Sequence, residues 1–437
     1  MKKSWLQYDD ANMRRDQVGK TGVSTAEWTR IVPQLRAAKQ AILQLDRTKT
    51  QGFLSLPKDA ETVKNCEARA AQTRKRFSDL IVLGIGGSDL GARAIHHALS
   101  HVRKGMRVHF AGSSTDPGQL LRILNEVNLK KTCVNVVSKS GGTLEPMSAF
   151  LILRDRLKTQ IGKRFAEHVI ATTDPLDGVL RQIAIQEGYA TLPIPKNVGG
   201  RFSVLSACGL FPAAAMGVDI ASLLRGGREI ADAFRGESSS VNAPSRYAGL
   251  HVIASRKRGQ RIQVVMPYSA SLGEFAKWVR QLVAESLGKK QTRSGRSVFE
   301  GVTPIAAVGP EDQHSQLQLY AEGPFDKTVT AIGVASTGRD MMVPRAAGLP
   351  DAVNRFSGHS LSSLLTIERE ATMESLRRVH RPNGTIQIQS LDERSLGGLF
   401  QFYEIAVAMM GELLDVNAYD QPGVELSKRI MKEAMMG

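Results

Sequence analysis

Hydrophobic positions follow two rhythms along the chain. Short unbroken apolar runs recur, the first being Asp79-Leu80-Ile81-Val82-Leu83-Gly84-Ile85, then MRVHFAG (106–112), TCVNVVS (132–138) and EHVIATT (167–173). Runs of this length, bounded by glycine, serine or threonine, read as buried strands. After each comes turn chemistry and a stretch in which apolar residues return at helical spacing, from Leu90 to about Leu99 after the first. Strand and helix in alternation predict a parallel sheet covered by helices.

A second series begins later, with RIQVVMPY (261–268), VTPIAAVG (302–309), KTVTAIGVA (327–335) and TIQIQS (385–390) as strands. Helical patterns over 271–288, 312–322, 358–379 and 394–414 interleave with them. Between the series lie a helical region near 220–235 and the polar run GESSSVNAPS (236–245), which reads as a domain junction. Residues 1–60 read as an N-terminal arm, in which the amphipathic stretch TAEWTRIVPQLRAAKQAILQL is interrupted at Pro33. The chain closes on an amphipathic helix from Gln421 to about Met435. The expected fold is α/β: two tandem three-layer α/β/α domains with mainly parallel sheets, over 61–240 and 241–437, plus the arm and the C-terminal helix.

Composition narrows the class. A chain of 437 residues suits two domains, and 42% hydrophobic with 23% charged residues is ordinary globular usage. Cys66, Cys133 and Cys208 are widely spaced and form no CxxC pair, which favours a reducing cytoplasm over a disulfide framework. The N-terminus turns polar and acidic where a signal peptide needs an apolar stretch, and no segment offers about 18 uncharged apolar residues to span a membrane. The net charge of +16 raises nucleic acid as a partner, but the runs Arg74-Lys75-Arg76, Arg256-Lys257-Arg258 and Lys289-Lys290 are short and separated. No stacking aromatics accompany them. The reading is a solvated basic surface that can steer an anionic small molecule, with no nucleic acid and no membrane as partner.

Two loops carry the first chemistry. In LGIGGSDLGARA (83–94), glycines at 84, 86, 87 and 91 let backbone N–H groups turn toward an anion, and the helix that follows adds its positive end. Asp89 stands where the dinucleotide fingerprint needs glycine, and Ala92 where the nucleotide P-loop needs lysine. In VVSKSGGTLEP (136–146), the hydroxyls of Ser138, Ser140 and Thr143 and several free amides precede a helix opening near Glu145-Pro146. Hydroxyls and amides suit a phosphate monoester without a metal, and no aspartate cluster is present to hold one. In open parallel sheets such ligands collect at the carboxyl ends of strands, where both loops sit.

These loops resemble the phosphate loops of the glucose-6-phosphate isomerase family, and the resemblance extends to four further segments. NVGGRFSVLSACGL (197–210) is similar to the family's glycine-glycine-arginine segment, and KWVRQLVAESLGKK (277–290) to the helix that carries its catalytic glutamate. EDQHSQLQLY (311–320) resembles the histidine segment and YDQPGVELSKRI (419–430) the C-terminal lysine segment. Six motifs in the family's order are specific as a set. The resemblance implies two sugar isomerase domains and reversible interconversion of glucose 6-phosphate and fructose 6-phosphate, through ring opening and a cis-enediolate, without cofactor or metal. A broader activity that also takes mannose 6-phosphate is the alternative, since that substrate differs only at C2.

The resemblance also implies roles. Glu285 is the base that moves the proton between C2 and C1, and Gln281, four residues earlier on the same helical face, contacts a sugar hydroxyl. Arg201 supplies a fixed positive charge for the enediolate, a task that suits arginine because it does not lose its proton. His314 and Lys428 resemble the ring-opening pair, the histidine shuttling the proton and the lysine supporting the ring oxygen. Gly87, Ser88, Ser138, Lys139, Ser140, Thr143 and Gly200 complete the substrate-binding set. In the family the histidine segment reaches into the neighbouring subunit, so a homodimer with His314 contributed across the interface is expected. Two positions depart from the pattern: Gly142 stands where many members carry threonine, and Ser427 where glycine is usual.

Overall fold

The strand β2 (Asp79–Leu83) is buried along its whole length and is an inner strand of a five-stranded sheet. In the computed structural model, which describes residues 5–102, 104–238, 242–338 and 340–436, that sheet has the order β3-β2-β4-β5-β6. β3 is Arg107–Ala111, β4 Thr132–Val137, β5 Val169–Thr173 and β6 Ala190–Pro193, and every pairing is parallel. Alternation along each strand divides its side chains between two cores. Ile81, Leu83, Val134 and Val136 pack toward the helices Pro117–Glu126, Leu144–Ile161 and Val179–Glu187. Leu80, Val82 and Cys133 join a larger cluster on the other face. The edge strand β6 escapes the sequence pattern because it is short and ends on Pro193, which an edge position tolerates.

A second five-stranded sheet has the order β1-β12-β11-β7-β10. β7 is Ile262–Pro267, β10 Thr303–Ala306, β11 Lys327–Ser336 and β12 Asn383–Ser390, all parallel. β1 (Leu6–Asp9) adds the one antiparallel edge, Leu6 opposite Ile388 and Tyr8 opposite Ile386. The N-terminal residues expected as an arm therefore supply a strand to this sheet. Between β7 and β10 a short hairpin, β8 (Lys289–Gln291) with β9 (Ser297–Glu300), follows the helix Gly273–Leu287. The run 236–245 read as a junction includes residues 239–241, which lie outside the described residues.

The helix Thr25–Arg47 corrects the expected interruption at Pro33, since it runs unbroken through that residue. Its start is fixed by a capping box: Ser24 Oγ accepts from the Glu27 amide at 3.3 Å while a Glu27 carboxylate oxygen accepts from the Ser24 amide at 2.9 Å. Pro33 lies on the exposed side, opposite Ile31, Leu35 and Ile42, so the carbonyl it leaves unbonded faces water.

The two sheets share the larger core through the helix Glu393–Leu414, buried almost throughout. It crosses the helix Ile220–Gly236 with backbone against backbone. A Cβ on Gly397 would sit 1.8 Å from the Leu223 carbonyl oxygen, and one on Gly226 1.8 Å from that of Arg394, so only glycine fits either place. Among the described residues no helix is long and apolar enough to cross a membrane.

Candidate active site

From the end of β2 the chain passes through a single 3-10 turn, Gly86–Ser88, into the helix Leu90–Ala98. Gly86 adopts φ +60°, a backbone region that favours glycine. A Cβ on Gly87 would lie 2.2 Å from the Gly200 carbonyl carbon and 2.5 Å from the Arg201 nitrogen. The absence of side chains at 86 and 87 thus lets this loop press against the turn Gly200–Phe202 on one side and Gln281 on the other.

The second loop follows β4. Ser138 Oγ accepts from the Gly141 amide at 3.0 Å and Ser140 Oγ from the Gly142 amide at 3.3 Å, which shapes the loop and leaves both O–H groups to donate. Thr143 is the N-cap of the helix Leu144–Ile161, yet its hydroxyl makes no capping bond. A Cβ at Gly142 would meet nothing closer than Ser140 Oγ at 3.9 Å, so the missing side chain leaves open space. Lys139 Nζ donates to the carbonyls of Lys196 at 2.8 Å and Val198 at 3.2 Å. Burial lowers its pKa and nearby Asp174 opposes that shift. This lysine braces the segment before Gly199 and has one donor left over.

A cleft of about 490 Å³ opens between the loops, lined by Ser88, Ser138, Lys139, Ser140, Thr143, Gly200, Ser203, Gln421 and Lys428 among others. Asp174 and Asp177 also line it, on the segment that adjoins the second loop, where the Val179 amide donates to the Ser140 carbonyl at 2.8 Å. Backbone amides of Leu176 and Asp177 hold the Asp174 carboxyl below the usual range, with Lys139 and Lys196 acting in the same direction.

Arg201 ties the cleft to Glu285. Its guanidinium is nearly inaccessible and donates through Nε to Ser286 Oγ at 2.7 Å, and through Nη1 to Gln421 Oε1 at 2.7 Å and Glu285 Oε2 at 3.3 Å. Nη2 donates to the Asp420 carbonyl at 2.9 Å and to that of Ala418. Burial lowers the Arg201 pKa, and the charges of Glu285 and Asp420 counter it. Gln281, one turn before Glu285 on the helix Gly273–Leu287, donates through Nε2 to Glu285 Oε1 at 3.0 Å. Both carboxylate oxygens are thereby oriented, while the Glu285 side chain keeps 34% of its surface exposed.

The remaining two residues differ in placement. Lys428 lines the cleft, with its ammonium paired to Glu425 at 2.8 Å along the exposed helix Glu425–Met436. Ser427 donates to the Val424 carbonyl at 3.0 Å within the same turn. His314 lies in the first turn of the helix Gln313–Glu322, is exposed, and lines no part of the cleft of this chain. Among the described residues no group of histidine, cysteine or acidic side chains is arranged to hold a metal.

The geometry also involves residues that sequence reasoning passed over. Gln421 and Lys289 both stand inside segments already singled out, but neither offers a spacing that reveals a role. Lys289, almost fully buried, donates to the Asp420 carbonyl at 2.7 Å and to the Glu285 carbonyl, so it caps the helix that carries Glu285. Asp174 directly follows the EHVIATT run at the carboxyl end of β5, which is the one signal that could have found it.

Comparison with known proteins places this arrangement. The sequence model of the family described as phosphoglucose isomerase matches residues 55–436. Glucose-6-phosphate isomerase of Carboxydothermus hydrogenoformans is 41% identical over 387 residues, spanning 86% of this chain and 83% of the relative. That of Rubrobacter xylanophilus is 40% identical over 432 residues, 97% and 96% of the two chains. Among solved structures, a hypothetical protein from Thermus thermophilus superposes with a TM-score of 0.89 at 34% identity, covering 99% of this chain and all of the other. A glucose-6-phosphate isomerase from Chlamydia trachomatis gives a TM-score of 0.77 at 28% identity, over 86% and 73%.

Proposed function

The chain belongs to the phosphoglucose isomerase family, its reaction is the reversible isomerisation of D-glucose 6-phosphate and D-fructose 6-phosphate, and we propose that Glu285 carries the proton in that reaction. The observation that supports this role is the triple Gln281–Glu285–Arg201, with both carboxylate oxygens held and the guanidinium bonded to the cleft-lining Gln421. The phosphate sits against Ser88, Ser138, Ser140 and Thr143, with the amides of Gly87 and Gly200 and the spare donor of Lys139 nearby. Anchored there, the open-chain sugar reaches toward the base. The Glu285 carboxylate takes the C2 proton of the aldose and returns it to C1. Charge that develops on the enediolate oxygens faces Arg201, whose position is fixed beforehand by Ser286, Gln421 and two carbonyls, so little reorganisation accompanies the transition state.

Ring opening falls to Lys428 at the cleft and to His314. Because His314 is exposed and away from its own chain's cleft, the reading that fits is a homodimer in which each histidine serves the neighbouring site. Mixing His314→Ala with Glu285→Gln tests this. Mixed dimers then contain one site with both native residues, and about a quarter of wild-type activity returns if subunits exchange at random. No recovery, with exchange shown by differently tagged subunits, refutes the shared site. Three buried, unpaired thiols suit a reducing cytoplasm as the compartment. Conversion of fructose 6-phosphate to glucose 6-phosphate by the purified chain tests the activity itself.

A further inference from the structure

The first phosphate loop and the base lie on different helices, and the reaction depends on how those helices are spaced. A substrate held by its phosphate at Ser88 presents C1 and C2 at a distance set by its own bonds. Glu285 must be found at that distance. The helix Leu90–Ala98, which opens from the loop, packs directly on the helix Gly273–Leu287, which carries Gln281 and Glu285.

His97 Nδ1 lies 3.2 Å from the Ser271 carbonyl in the turn before the second helix, and a charged side chain joins the two as well. Arg93 Nη1 donates to Asp89 Oδ2 at 3.3 Å, and its Nε lies 3.5 Å from Glu274 Oε2. Asp89 is the residue after Ser88 and is 2% exposed. Its other oxygen, Oδ1, is buried without a hydrogen-bond partner, so Arg93 is the group that meets its charge. Burial pushes the Asp89 carboxyl up to about 7, against the pull of Arg93. Glu274 behaves differently: burial acts to raise it, but Lys277, at 2.7 Å, and Arg93 hold it below the usual range. His97 acts on Glu274 in the same direction. An arginine can bridge two carboxylates from separate nitrogens of one rigid plane, which a lysine cannot do.

We propose that Arg93 is a positioning residue for the isomerisation, holding Asp89 and Glu274 at once so that the phosphate loop keeps a fixed distance from the base. The proposal rests on the roles given above to Ser88 and Glu285. It accounts for an arginine shared between two acids at the boundary of the two helices. Arg93→Met keeps most of the apolar stem. It leaves Glu274 its lysine and lets Asp89 take up a proton, so the folded state is not left with an uncompensated buried charge.

The test is steady-state kinetics on the full chain with fructose 6-phosphate, for wild type, Arg93→Met, Arg93→Lys, Glu274→Gln and Glu285→Gln, with thermal unfolding of each. A slip on the scale of 1 Å costs about 100-fold in a positioned reaction, and it falls on kcat because the phosphate contacts remain. Arg93→Met should therefore lose about 100-fold in kcat with KM changed by less than about threefold, and Arg93→Lys should recover part of the loss. If Arg93→Met is folded and its kcat lies within about threefold of wild type, the proposal is overturned. It is overturned equally if KM rises while kcat is unchanged. Should Arg93→Met fail to fold, Glu274→Gln decides: a loss of kcat at constant KM supports the proposal, and wild-type kcat refutes it. An active wild type with an inactive Glu285→Gln separates failure of this proposal from failure of the proposed base.

Discussion

Gly87→Ala adds one methyl group at the point where the first phosphate loop meets the arginine turn. The new carbon would lie 2.2 Å from the Gly200 carbonyl carbon, 2.3 Å from its oxygen and 2.5 Å from the Arg201 nitrogen. All three neighbours are backbone, so no rotamer change can absorb the clash. Ordinary carbon contacts begin near 3.5 Å, and the two loops must therefore part by roughly 1 Å. That separation moves Ser88 away from Arg201 and Glu285 together, and a displacement of this size costs about 100-fold in kcat/KM, or about 2.7 kcal/mol in the barrier. The assay couples glucose 6-phosphate formation to its oxidation and follows reduced nicotinamide, with circular dichroism to confirm the fold. Gly199→Ala is the matched control, since its added carbon meets nothing closer than the Tyr419 carbonyl at 3.8 Å, and it should stay near wild type. A folded Gly87→Ala within about threefold of wild-type kcat/KM would refute the reasoning.

Arg201→Lys retains the charge but cannot reach Ser286, Gln421, Glu285 and the carbonyls of Ala418 and Asp420 from one ammonium. Its kcat should fall by about 100-fold or more, and a loss under about fivefold would mean that charge alone suffices. Asp89→Asn tests the buried carboxyl through stability. Because its pKa is raised to about 7, the folded chain binds more protons than the unfolded one between the usual aspartate value and 7, so stability falls as pH rises through that window. Asparagine does not titrate, and thermal unfolding should therefore favour the variant increasingly from pH 5 to pH 8, by at most about 3 kcal/mol. A difference that does not change with pH contradicts the assignment.

Much of the architecture was legible because buried strands announce themselves. β2, β4, β7 and β11 are near-continuous apolar runs, and each helix expected in the second half appears within a few residues of its expected span. What was not legible depended on tertiary placement. β1 has only four residues and becomes a strand because β12 offers it an edge. Pro33 reads as a helix break because sequence does not reveal that it and Thr29, whose carbonyl it leaves unbonded, lie on the exposed side of the helix. The site shows the same division. Ser88, Ser138 and Thr143 carry local loop chemistry, whereas Glu285 is one of many helical carboxylates and stands out only by resemblance. The convergence of Arg201 on Gln421, more than 200 residues away in sequence, and the bracing of Lys139 on Val198 follow from folding and leave no pattern in the chain.

In the proposed mechanism Glu285 itself moves the proton between C2 and C1. Running the reaction in deuterium oxide with wild type and Glu285→Gln, and following both isomerisation and deuterium at C2 of glucose 6-phosphate, tests it most directly. The variant should fold, bind the sugar phosphate with KM near that of wild type, and lose about 100-fold or more in both isomerisation and exchange. A folded variant that still exchanges the C2 proton within about tenfold of wild type would show that another group is the base.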